Sequence, residues 1–297
     1  MEQNTSTHTK NWYDKSYKLM LILPAILLLG SIVYLVNFTS QHGDIVLTDV
    51  SITGGTTISV FAQADTSDIL AQLKPQFPDI EIREISDVRT GAQHGFFIET
   101  ASPVEEIKPA LEKVLGYQLN EKNSSIEFTG AALSTAFYQQ LRIAVVIAFV
   151  LMATVVFLIF RTPIRSLSII LAAFADIIMT IVVLDLLGIR LSTAGIVALL
   201  MLIGYSVDAD ILLTTRVVKD KEGTLNHRIF GAFKTGITMT LTAIVAVGVA
   251  FFFTRTLSPV LSQMFSIILI GLCFDIFNCW VTNASLLKWY AEVTHKL

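Results

Sequence analysis

The apolar run Leu199–Arg216 (LLMLIGYSVDADILLTTR) carries two carboxylates, Asp208 and Asp210, before it ends. An acid near the centre of a bilayer costs about 2.5–3.5 kcal/mol on insertion scales. Acids kept at that depth serve proton or ion pathways, or hydrogen-bond across helices. Three more lie in apolar runs: Asp176, Asp185 and Asp275. Asp185 stands beside a loop, where a charge costs far less, and reads as interfacial. No basic residue lies deep in a run, so partner cations would come from run ends such as Arg142, Arg216 and Arg255.

At about 100° per residue, Asp208 and Asp210 point to nearly opposite sides of one helix. Asp208 shares a stripe with Met201, Gly204 and Thr215, and Asp210 shares one with Ile203, Ser206 and Thr214. Gly271, Asp275, Asn278 and Thr282 form another polar stripe, as do Thr235, Thr238 and Thr242, while Asp176 has Ala172, Ala173 and Thr180 on its side. Small and hydroxylated residues on one stripe suit close helix contacts in lipid. One reading is therefore structural, with the acids as hydrogen-bonded glue. The other is coupling to a proton or ion gradient through Asp208, Asp210, Asp275 and Asp176. In that reading Gly204, Ser206, Thr238, Thr242, Gly271 and Asn278 pack around the coupling site.

These stripes require membrane-spanning helices. Of the 297 residues, 53% are hydrophobic and 15% charged, too apolar a balance for a soluble protein of this size. Six runs have spanning length: Leu19–Phe38, Leu141–Phe160, Leu167–Leu187, Thr193–Leu213, Ile237–Phe253 and Val260–Trp280. The first lacks a small-x-small cleavage site and reads as an uncleaved anchor. Lys and Arg in the tails and short loops place both termini (1–18 and 288–297) in the cytoplasm, with Arg190 and Arg255 outside. Cys273 and Cys279 share one run without His or Cys neighbours and read as buried thiols, so no metal or cofactor is expected.

The acidic segment 39–140 is the one domain outside the membrane. Val50–Phe61 reads as a strand, Asp65–Phe77 as a helix, and Ile80–Ile85 and Gly95–Thr100 as strands around a Thr90-Gly91 turn. A helix follows from Ser102-Pro103 to Gly116, then a strand at Ser125–Phe128. The expected fold is a six-helix membrane protein with a ferredoxin-like α+β exterior domain between the first and second spans. An open sheet face or edge would suit an extended polypeptide.

Four stretches resemble one family. GYSVDADILLTTR (Gly204–Arg216) resembles the fourth-span motif of SecF and SecD, accessory subunits of the protein-export translocase. ITGGTTISV (Ile52–Val60), IEFTGAALS (Ile126–Ser134) and FKTGITMTLTAI (Phe233–Ile244) resemble the family's D-F-T-G-G-T segment, V-G-P segment and Thr-rich fifth span. The six-span layout is that of the resistance-nodulation-division transporters, and the small exterior domain resembles SecF more than SecD. Val207-Asp208-Ala209-Asp210 has the SecD wording inside a SecF frame, and Ala131 stands where the family has Pro, which resembles an archaeal branch. The resemblance implies a plasma-membrane, non-enzymatic subunit with a SecD-like partner, working with the Sec channel and a translocating polypeptide, and not with nucleic acid. It carries the coupling acid to Asp208. Alternatives are a small-molecule or lipid exporter of the same superfamily, an intramembrane aspartyl protease, and a scaffold without ion coupling.

Overall fold

A computed structural model describes residues 12–86, 92–219, 223–255 and 258–294. It is mostly helical, with six helices long and apolar enough to cross a membrane and one small antiparallel sheet. The chain opens with α1 (Trp12–Met20) and the first span, α2 (Ile22–His42). Gly43 ends α2 in the left-handed region (φ 79°), where glycine has no steric cost.

Asp49 then caps a single helical turn, α3 (Val50–Thr53), accepting from Ser51 N at 2.9 Å. The strand expected over Val50–Phe61 is therefore shorter: β1 spans Gly55–Val60, and the β-branched residues before it are held helical by the cap. There follow α4 (Thr66–Leu73), β2 (Glu81–Ser86), β3 (Gln93–Thr100), α5 (Val104–Leu115) and β4 (Ser124–Thr129). Asp65 caps α4, accepting from Ser67 N and Asp68 N, and Gly116 closes α5 with φ 76°. The Thr90-Gly91 turn lies outside the described residues.

The strands lie in the order β2-β3-β1-β4, every neighbouring pair antiparallel. Ile58, Val60, Phe96 and Ile98 bury one sheet face against Ile69, Leu73, Ile107 and Leu111 of α4 and α5. That apolar contact holds the domain together. The other face carries Thr57, Ser59, Arg83, Phe97 and Glu99 and looks across a cavity to Ser192, Thr193 and Gln263 of the helical part.

The remaining helices are α6 (Ala131–Phe160), α7 (Pro163–Leu186), α8 (Thr193–Lys219), α9 (Leu225–Thr254) and α10 (Pro259–Phe277). A π-helical stretch, Asn278–Asn283, joins α10 to α11 (Ala284–Thr294). The second span begins as helix at Ala131, before its apolar run at Leu141. The last span runs on through Lys288, which stands where a cytoplasmic tail is expected to begin and is 1% exposed. Lys288 can be dry because its ammonium meets Asp14 of α1, donates to Asn226 at 2.8 Å and lies 4.0 Å from the Tyr13 ring.

In the membrane part, α7 and α8 are central and α2, α6 and α9 peripheral. Close approach of α10 to α8 depends on Gly271, where a Cβ would lie 2.3 Å from Leu202 Cδ2. Gly236 admits Trp280 in the same way, at 2.5 Å. Cys279 is buried as expected, but Cys273 is exposed, because the helix turns it away from α8.

Candidate functional site: a carboxylate cluster in the helix bundle

Asp176 of α7, Asp210 of α8 and Asp275 of α10 are each at most 2% exposed, and each accepts a hydrogen bond from a neighbouring helical segment. Asp176 accepts from Ser206 Oγ of α8 and, at 2.7 Å, from Asn278 Nδ2. Asn278 Oδ1 in turn accepts from Thr282 at 3.3 Å. Asp210 accepts from Asn283 Nδ2 at 2.7 Å, and Asp275 from Thr240 of α9 at 3.4 Å. Five helical segments thus send polar groups to one buried region.

The π-helix explains two of those groups. Its wider turn, with i→i+5 hydrogen bonds, brings residues five apart onto one side. Asn278 and Asn283 can therefore reach Asp176 and Asp210 together. Among the described residues, none of the three carboxylates forms an ion pair with Lys or Arg. Thr214 Oγ1 and Asn283 Oδ1 are also buried there without a hydrogen-bond partner among the described residues. Buried, hydrogen-bonded carboxyls without a cation have the chemistry to take up and hand on protons. No group of three or more His, Cys, Asp or Glu among the described residues could hold a metal ion.

The structure separates the sequence-derived candidates. Asp176, Asp210, Asp275, Ser206 and Asn278 come together, and Gly271 brings α10 against α8 beside them. Asp208 and Gly204 do not join them: both lie on the exposed face of α8 with Met201 and Tyr205, and nothing stands within 4 Å of a Cβ built on Gly204. Thr238 and Thr242 also face outward, each donating to the carbonyl four residues earlier at 2.7 Å. The hydroxyl that α9 contributes is Thr240, between them. Asp185 sits at the end of α7, 7% exposed, and accepts from Leu47 N at 3.3 Å. Thr240 and Asn283 were missed. Asn283 had no signal at α-helical spacing, and Thr240 was one threonine among several.

Fold and cluster together define a polytopic membrane protein with a small sheet domain and an acidic, hydrogen-bonded centre in its helix bundle. Residues 110–293 match the family described as protein export membrane protein SecD/SecF, C-terminal. The chain is 36% identical to the protein-export membrane protein SecF of Methanothermobacter thermautotrophicus, covering 94% of each chain. It is 37% identical to that of Methanocaldococcus jannaschii, covering 93% of this chain and 96% of the relative. The fold resembles the crystal structure of SecDF, a translocon-associated membrane protein from Thermus thermophilus. The TM-score is 0.73 at 16% identity, over 96% of this chain and 39% of that one. The chain belongs to the SecF family of protein-export membrane proteins.

Proposed function

We propose that this protein is an accessory subunit of the Sec protein-export pathway that pairs with a SecD-like chain and draws on the proton or ion gradient. Membership of the SecF family supports the export role. The observation that carries the coupling is the convergence of Asp176, Asp210 and Asp275 in a buried region with no paired cation among the described residues. A change in the charge of any one alters its hydrogen bonds to a neighbouring helix, which links ion movement to helix movement.

Asp208 has a different place in this reading. A carboxylate on the outward face of an apolar span is costly against lipid, so that face is where the SecD-like partner would sit. Gly204 beside it leaves room for close approach. The sheet domain is read as a ferredoxin-like insertion on the exterior side that engages emerging polypeptide, with both termini cytoplasmic and the chain in the cell membrane.

The test is export of a signal-bearing reporter in cells carrying Asp176→Asn, Asp208→Asn, Asp210→Asn or Asp275→Asn, with protein levels matched. Reduced export for Asp210→Asn and Asp208→Asn, and loss of the response to an uncoupler, are expected. Wild-type export in all four variants would end the coupling reading. Failure of a cysteine at Met201 to cross-link to a SecD-like chain would end the assignment of the partner face.

A further inference from the structure

The junction between sheet domain and helical part holds a second set of charges, separate from the cluster in the bundle. The register places Glu81 opposite Glu99, Glu99 opposite Thr57, and Thr57 opposite Glu127, so one rung across the sheet carries three glutamates. Like charges directly opposite on a sheet repel. Arg83 on β2 answers them from within the domain, 3.1 Å from Glu81 and 3.7 Å from Glu99. The other cation comes from the helical part: Arg190, in the loop between α7 and α8, places Nε 2.6 Å from Glu81 Oε1.

That loop is fixed from below. Leu191 N donates to Leu47 O at 2.6 Å, Asp49 N donates to Leu191 O at 3.0 Å, and Gln263 Nε2 donates to Arg190 O. Asp49 therefore belongs with the helical part, and it faces Glu99 across a cavity of about 220 Å³. The groups facing Glu99 are thus Asp49 from the linker, Glu81 and Arg83 from β2, Glu127 from β4 and Arg190 from the loop. Four carboxylates meet two guanidiniums.

The sheet domain is joined to the rest at two places, and both contain glycine. Gly54 (φ 85°, ψ 151°) and Gly55 (φ 150°) stand between α3 and β1, in a region open to glycine alone, and Gly130 stands between β4 and α6. Small φ/ψ changes at these points can swing the domain without breaking either body.

We propose that this junction is a proton-operated latch: the domain rests on the helical part, tied by Arg190 to Glu81, while Glu99 is protonated, and lifts when Glu99 ionises. The closed junction leaves the Glu99 side chain only 12% exposed. Desolvation first, then the charge of Asp49, raise its pKa to about 7, and the pull of Arg83 and Arg190 does not offset them. The sign follows. Lifting the domain returns Glu99 toward an ordinary carboxylate, so the closed form binds more protons than the open form. Closure is fully supported below about 4.5 and lost as pH rises to about 7. Within that window the open-to-closed ratio changes by up to about tenfold per pH unit.

The experiment is electron-spin distance measurement on the full chain in lipid nanodiscs, with labels on cysteines replacing Glu121 and Leu187 and with Cys273→Ser and Cys279→Ser. The wild-type sequence should give one short distance at pH 5 and a growing long-distance population up to pH 7.5. Glu99→Gln should keep the short distance to pH 8.5, and Arg190→Ala should show the long population even at pH 5. Asp49→Asn, which can still cap α3, should hold the domain closed to higher pH than wild type. A distance distribution independent of pH, or the same titration in Glu99→Gln and Asp49→Asn as in wild type, would overturn the latch.

Discussion

Gly271→Ala is the perturbation whose consequence can be worked furthest. The new Cβ would lie 2.3 Å from Leu202 Cδ2, 2.5 Å from Cδ1 and 2.9 Å from Cγ. Ordinary carbon contacts sit at about 3.5–4.0 Å, so the gap must widen by roughly 1 Å or more. Because Cγ is itself too close, turning the two methyl groups does not clear the contact. Leu202 is 0% exposed, so α8 must shift. Ser206 lies one turn along α8, and its hydrogen bond to Asp176 stretches with the helix. Overpacking of this kind costs about 1–3 kcal/mol. The assay is reversible unfolding in detergent micelles, followed by tryptophan fluorescence, alongside export in cells. Leu202→Ala supplies the control: with the isopropyl group gone, Gly271→Ala should cost about 0 kcal/mol, a coupling of at least about 1 kcal/mol between the two sites. Equal cost of Gly271→Ala in both backgrounds would refute the α8–α10 contact as its cause.

Lys288→Met should destabilise by about 3 kcal/mol, because Asp14 is left beside a dry site, whereas Lys288→Met with Asp14→Leu should recover most of that loss in the same unfolding assay. Asn283→Ala should cost about 1–3 kcal/mol by orphaning a buried carboxylate oxygen of Asp210, and should lower reporter export. Thr242→Ala, whose hydroxyl is exposed and bonded only to its own helix, should stay within about 0.5 kcal/mol of wild type in unfolding and leave export unchanged. A membrane-permeant maleimide should label one thiol per chain, Cys273, in the native protein and two after denaturation, counted by mass spectrometry.

The six spans were legible because apolar length is a direct demand of the bilayer. The faces of α8 were legible too: helical arithmetic alone put Ile203, Ser206, Asp210 and Thr214 on one side and Met201, Gly204 and Asp208 on the other, and the first set is buried. Arithmetic does not say which side meets its own bundle, and the face carrying Asp208 is the outward one. Asn283 was beyond reach because its spacing from Asn278 makes sense only in a π-turn, a backbone state that packing selects rather than residue type. Thr240 was hidden among threonines whose faces differ only by what packs on α9. Arg190 was placed on the domain's side of the membrane by charge counting, yet its bond to Glu81 depends on contacts distant in sequence.

Asp14 and Lys288 stand 274 positions apart, and Tyr17 donates to Glu292 at 2.6 Å across a similar separation. A ribosome releases the first of each pair long before the second. Until the last span has been threaded into the bilayer, Asp14 has not met the Lys288 ammonium. The contact therefore ties the first described helix to the last, and it can form only once residue 288 has been made.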